Sequence, residues 1–130
     1  MANRTVIALD AMGGDHAPKS VIAGAALAAV RHPELEYLIY GDEAAVKPLL
    51  AQYPQLAQIS TFHHTPDRVT NEIKPSIALR QGRNSSMRLA INAVQRGEAT
   101  CVVSGGNTGA LLAMAKFVLR TLPGIDRPAM

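Results

Sequence analysis

The sequence predicts an α/β fold in which a mostly parallel sheet lies between two layers of helix. Three observations lead there. Short apolar, β-branched runs alternate with longer segments of helical spacing. Glycine-containing turns stand at the ends of the apolar runs. The chain is 48% hydrophobic but only 4% aromatic, with no Trp, so its core must be built from Ala, Val, Ile and Leu, as in tightly packed helix-on-sheet layers.

The elements follow in order. "TVIALD" (5–10) reads as a buried strand that ends in a glycine-rich turn. "PKSVIAGAALAAVRH" reads as a helix, with Pro18 suited to its first turn and Val21, Ile22, Ala25, Leu27 and Ala28 on its apolar side. "LEYLIYG" (35–41) is a second strand, and Asp42 is placed to cap the helix "EAAVKPLLAQY". Pro48 is expected to kink or split that helix. "LAQISTFH" is a third, weaker strand, and "HHTPDRVTNEIKP" (63–75) is irregular. A short helix from Pro75 or Ser76 leads to Gly82. Asn84 is expected to cap a longer helix, in which Met87, Ala90, Ile91 and Val94 keep i, i+3, i+4, i+7 spacing up to Gly97. "ATCVVS" (99–104) has the unbroken apolar character of a parallel strand buried on both faces. The last helix is expected from about Asn107 to Arg120, closed by Pro123 and Gly124.

With 130 residues, no internal repeat and no composition break, residues 1–130 read as part of a single domain. The formal net charge of +3 suits an acidic ligand or an acidic protein partner. The Lys and Arg residues are scattered, which argues against nucleic acid as a partner. The lone Cys101 excludes an internal disulfide and suits a reducing, cytoplasmic compartment. Its apolar neighbours suggest a packed core thiol rather than a nucleophile. The N-terminus has no signal-peptide pattern, and no run reaches the ~18 apolar residues of a membrane span.

Two segments stand beyond the carboxyl ends of strands, where open parallel sheets bind ligands. "SGGNTGA" combines the backbone freedom of Gly105 and Gly106 with a helix start at Asn107 or Thr108. Free N–H groups and the positive end of the helix dipole suit an anion there, phosphate first, with Ser104 and Thr108 adding hydroxyls. The spacing is neither a Walker A loop nor a complete G-x-G-x-x-G. An ordinary tight strand–helix turn is the plainer alternative. "DAMGGDHAP" places Asp10 and Asp15 around Gly13-Gly14. These carboxylates could hold magnesium, but a structural role, pinning the loop or orienting an arginine, is the preferred reading. "RQGRNSSMR" gathers Arg80, Arg83 and Arg88 around Ser85 and Ser86 at a helix start, which reads either as a solvated basic turn or, beside another anion-binding element, as a second place where phosphate oxygens could be held. His63 and His64 lack partners at metal-ligand spacing. No metal and no cofactor are expected.

Taken together and in this order, "ALDAMGGDHAP", "KPSIALRQGRNSSM" and "VVSGGNTGALLAMAKFVLRTLPGIDRPA" resemble the bacterial phosphate acyltransferases of phospholipid synthesis, which act on acyl-acyl carrier protein. In that family the last motif commonly reads Ser-Ala-Gly-Asn-Thr-Gly-Ala, and here Gly105 replaces the Ala. Ser104-Gly105, Thr108 and Thr121-x-Pro123-Gly124 also share the layout of phosphotransacetylases, without the His and Asp of those enzymes. The resemblance implies a three-layer α/β/α sandwich related to isocitrate dehydrogenase and phosphotransacetylase, incomplete in this chain. It implies acyl transfer from acyl carrier protein to inorganic phosphate, in a homodimer with peripheral contact to the membrane and to a downstream membrane acyltransferase. Ser104, Asn107, Thr108 and the Gly105 and Gly106 amides would form one anion or oxyanion site. Arg80, with Ser85 and Ser86, would form a second phosphate contact. Asp10 and Asp15 would hold the Gly13-Gly14 loop and orient Arg80. Members of the family are much longer, so the chain is expected to be an N-terminal portion, weakly active by itself. Rival readings are an acyltransferase acting on coenzyme A esters, a non-catalytic phosphate-binding module and, less favoured, an oxidoreductase domain.

Overall fold

A computed structural model describes residues 4–126; the last residues of the "GIDRPAM" segment lie outside that range. Four strands form one parallel sheet in the order β3-β2-β1-β4: β1 (Val6–Asp10), β2 (Glu36–Gly41), β3 (Ser60–His64) and β4 (Cys101–Val103). Helices α1 (Lys19–Arg31), α2 (Glu43–Leu50) and α3 (Pro54–Gln58) cover one face. Helix α5 (Ser86–Gln95) covers the other, and α4 (Pro75–Gln81) and α6 (Thr108–Val118) pack beside it. The expected parallel sheet between helical layers is therefore present.

Alternation along the strands decides which side chains meet which layer. Leu9, Tyr37 and Ile39 face Ile22, Ala25, Ala29, Val46 and Leu56 in the first layer. Ala8 and Tyr40 face Ala90 and Ala93 of α5 on the other side. The small alanine side chains on both sides let α5 lie close against the sheet, with Tyr40 the one large buried residue of this cluster. A third cluster, with Met87, Ile91, Ala110 and Met114, joins α4, α5 and α6.

Several local expectations are corrected. The "LAQ" of the expected third strand belongs to α3, which Pro54 opens at its first turn and whose Leu56 is fully buried. Pro48 neither splits nor ends α2, which runs through it to Leu50. Asp42 occupies the N-cap position of α2 without a side-chain cap bond. Instead the Glu43 N–H donates to His64 Nδ1 at 2.9 Å, so His64, at the end of β3, does the capping. The cap of α5 is Ser85, one residue after Asn84: its Oγ accepts from the Arg88 N–H at 3.2 Å. Leu27 points outward from α1, because Ile22, Ala25 and Ala29 form its buried stripe.

Strand β4 departs furthest from expectation. Only Val102 is covered, packed against the α5 side, whereas Cys101 and Val103 project from the opposite face and are exposed. On that face α1 packs over β1 and β2 and leaves a cavity between itself and Val103. Cys101 is therefore an exposed thiol, not a core residue.

Candidate functional site

The strand order creates the site. The chain leaves β1 towards α1 on one face, builds β2 and β3 on one side, then crosses to place β4 on the other side of β1. The loops after β1 and β4 consequently diverge to opposite faces of the sheet. This is the topological switch point at which open α/β sheets form a crevice beyond their carboxyl ends. The two glycine-rich motifs meet there, and the first turns of α1, α5 and α6 surround them.

Asp10 holds the parts together. It is 2% exposed. Its Oδ1 accepts from the Met12 N–H at 3.1 Å and from the Ser86 hydroxyl at 2.5 Å. Its Oδ2 accepts from the Ser104 hydroxyl at 2.8 Å. One carboxylate thus ties its own loop to the start of α5 and to the end of β4. Hydroxyl and amide donors, with the positive end of α5, compensate the buried charge. Ser104 Oγ in turn accepts from the Gly106 N–H at 3.2 Å, fixing the second glycine turn.

The glycines are dictated by this closeness. A Cβ on Gly13 would lie 2.6 Å from Asp10 Oδ2, 2.7 Å from Ser104 Oγ and 3.0 Å from the Gly106 nitrogen. Gly14 has φ +121°, where side-chain-bearing residues are strained, and its Cβ position lies 3.4 Å from the Gly105 carbonyl oxygen. The two glycine pairs accordingly pack backbone against backbone.

Asn107 closes the third side. Its Oδ1 accepts from the Ala110 N–H at 3.2 Å and caps α6. Its Nδ2 donates to the Thr70 and Ile73 carbonyls at 3.1 and 2.9 Å, pinning the irregular segment before α4 over the helix start. Asp15 is also joined to that segment, accepting from Asn71 Nδ2 at 2.6 Å. Neither Asn71 nor Thr65, whose hydroxyl donates to the Asn84 carbonyl, carries a signal in the sequence beyond lying in a polar loop.

The positions of the expected site residues follow directly. Asp10, Gly13, Gly14, Ser104, Gly105, Gly106 and Asn107 are brought together. Thr108 opens α6 with an exposed side chain. Ser85 and Ser86 are buried and fully engaged: the Ser85 N–H and hydroxyl both donate to the Gly82 carbonyl, and the Ser86 N–H donates to the Asp67 carbonyl. Ser86 reaches the site through Asp10. Asp10 and Asp15 contact Ser86, Ser104 and Asn71 rather than Arg80, which is exposed on the last turn of α4. Among the described residues no group of three or more His, Cys, Asp or Glu side chains gathers as metal ligands. No described helix is long and apolar enough to cross a membrane.

A family described as "Fatty acid synthesis protein" matches residues 5–130. A phosphate acyltransferase of Rhodospirillum centenum is 66% identical over 130 residues, all of this chain and 37% of the relative. Phosphate acyltransferases of Granulibacter bethesdensis and Paramagnetospirillum magneticum are 58% and 55% identical, over 96% and 100% of this chain. The chain spans 34–37% of the length of these three relatives. On the match across nearly its whole length, the chain belongs to the fatty acid synthesis protein family.

Proposed function

We propose that the protein transfers a fatty acyl group from the thioester of acyl carrier protein to inorganic phosphate, giving an acyl phosphate for phospholipid synthesis. The observation that carries the reading is the crevice between β1 and β4, where Asp10 locks two glycine turns against the start of α6. The names of the relatives support it: each is called a phosphate acyltransferase.

The chemistry needs little from the protein besides placement. A phosphate oxygen attacks the thioester carbonyl carbon, the tetrahedral oxyanion collapses, and the C–S bond breaks. The proton of hydrogen phosphate ends on the departing thiolate, so atoms and charge balance. A thiolate leaves readily, since a free thiol has a pKa near ~8.5. Rate then comes from aiming the dianion and stabilising the oxyanion with fixed N–H donors. The first-turn amides of α6, at Thr108 and Gly109, have no acceptor within the helix. With the Thr108 hydroxyl and the Gly105 amide they form the anion site in this reading. Ser104 and Asn107 act as positioning residues, since their side chains are already engaged within the protein. Arg80 supplies a second phosphate contact, supported by the α4–α5 turn that Ser85 and Ser86 stabilise. The same reading implies a cytoplasmic homodimer in peripheral contact with the membrane, where a membrane acyltransferase consumes the product.

The test is thioester loss from a long-chain acyl carrier protein by the full-length gene product, with and without phosphate, trapping acyl phosphate as the hydroxamate. Phosphate-dependent loss with hydroxamate formation is expected, and much weaker turnover of the corresponding coenzyme A ester. Phosphate binding without thioester loss from either donor would overturn the reading and leave a phosphate-binding module.

A further inference from the structure

The segment between β3 and α4 forms a strap that runs past both glycine motifs and is attached in an unusual way. Val69 is buried and Ile73 packs on the cluster that joins α4, α5 and α6, but residues 70–72 between them are exposed. Among the described residues, no backbone-to-backbone hydrogen bond joins residues 68–73 to the rest of the fold. Their polar attachments are instead side-chain bonds to the two motifs. Asn107 Nδ2 donates to the Thr70 and Ile73 carbonyls at 3.1 and 2.9 Å. Asn71 Nδ2 donates to Asp15 Oδ1 at 2.6 Å. Just beyond, Pro75 presses on the first turn of α6: a Cβ on Gly109 would lie 2.8 Å from Pro75 Cγ.

The strap therefore ties the β1 loop to the start of α6 on the exposed side, as Asp10 ties the same loop to the second glycine turn on the buried side. Asn71 is its polar link to the β1 loop. Asp15 follows Gly14, whose backbone at φ +121° packs on Gly105. A shift of Asp15 moves Gly14, and with it the support of the Gly105 amide. Recognition of an anion by fixed N–H groups needs placement to about 0.5 Å, finer than a loop without backbone bonds of its own maintains unaided. We propose that Asn71 is a positioning residue for phosphate, a role that rests on the acyl-transfer reading of this crevice. Through Asp15 it holds the Gly14 turn at a fixed distance from α6, so that the Gly105 amide and the first-turn amides of α6 converge on one anion. Every group in this clamp belongs to this chain and is already bonded or packed against the next, so its role holds whatever else packs over the strap.

The test uses the full-length gene product, with inorganic phosphate titration, turnover and chemical denaturation as readouts. Asn71→Ala and Asp15→Ala are each expected to raise Kd and KM for phosphate about three- to tenfold. KM for the acyl donor and the denaturation midpoint are expected to stay unchanged. Removing a carboxylate near an anion site by itself tightens the anion, so a rise in Asp15→Ala has the sign that the clamp gives and charge alone does not. The double variant is expected to be no weaker than either single variant, because both break one bond. Asp15→Asn, whose amide oxygen still accepts from Asn71, is expected to recover near-wild-type affinity. Unchanged phosphate affinity in Asn71→Ala, tighter binding in Asp15→Ala, or losses that add in the double variant would overturn the proposal; with wild-type turnover intact, the acyl-transfer reading would stand. Phosphate binding that weakens in both single variants, without turnover of any thioester by the wild type, would uphold the clamp and sink the reaction instead. Wild type that binds no phosphate would overturn both.

Discussion

Replacing Asp10 by Asn keeps the shape of the side chain and removes the acceptor that the Ser104 hydroxyl uses. The new amide would face that hydroxyl donor in a buried site, so roughly 2–3 kcal/mol of stability is expected to be lost in Asp10→Asn. Chemical denaturation of wild type and variant measures this. Asp15→Asn is the matched control: its single exposed bond to Asn71 is expected to change stability by less than about 0.5 kcal/mol. Gly13→Ala probes the same point sterically. Its Cβ would lie within 3.0 Å of three atoms, two of them belonging to the Asp10–Ser104 pair. A loss of about 1–3 kcal/mol is expected, with phosphate-dependent turnover falling with it. These residues were conspicuous in the sequence because paired glycines and a strand-ending carboxylate have few other uses. Their partners were not, since which hydroxyl meets Asp10 depends on where α5 begins relative to β1, 76 positions away in sequence.

At the scale of elements, the start of α6 depends on Asn107, which caps the helix and also holds the segment before α4. Asn107→Ala is expected to cost about 1–2 kcal/mol and to free that segment locally. Hydrogen exchange would show it as faster exchange in residues 70–73 and the first turn of α6, with α1 and β2 unaffected. Uniform acceleration across the chain would contradict a local clamp. Helix and strand order were legible here because hydrophobic spacing is a long-range average over each element. Ends were less so. Ser85 caps α5 in place of Asn84 because Asn84 is held through its carbonyl by Thr65, a tertiary contact. The "LAQ" segment reads as strand by composition, yet Pro54 and the burial of Leu56 beneath α1 make it a helical turn.

Over the whole molecule, the parallel sheet followed from the alternation of elements, but the placement of β4 beside β1 did not, because strand order is set by packing that local spacing does not encode. That placement both creates the crevice and leaves Cys101 and Val103 uncovered on one face. Cys101 in this chain is therefore expected to react stoichiometrically with a thiol reagent without denaturant, at close to the rate of a free cysteine. Protection until unfolding would contradict the exposed face. The crevice itself is expected to hold inorganic phosphate between the glycine turns and the start of α6. Titrating phosphate into isotope-labelled protein and following backbone amide resonances tests it most directly. Saturable shifts centred on Gly105, Thr108 and Gly109, abolished in Gly13→Ala while the rest of the spectrum persists, are the predicted result. Shifts confined to surface lysines and arginines, or none at these three amides, would contradict it.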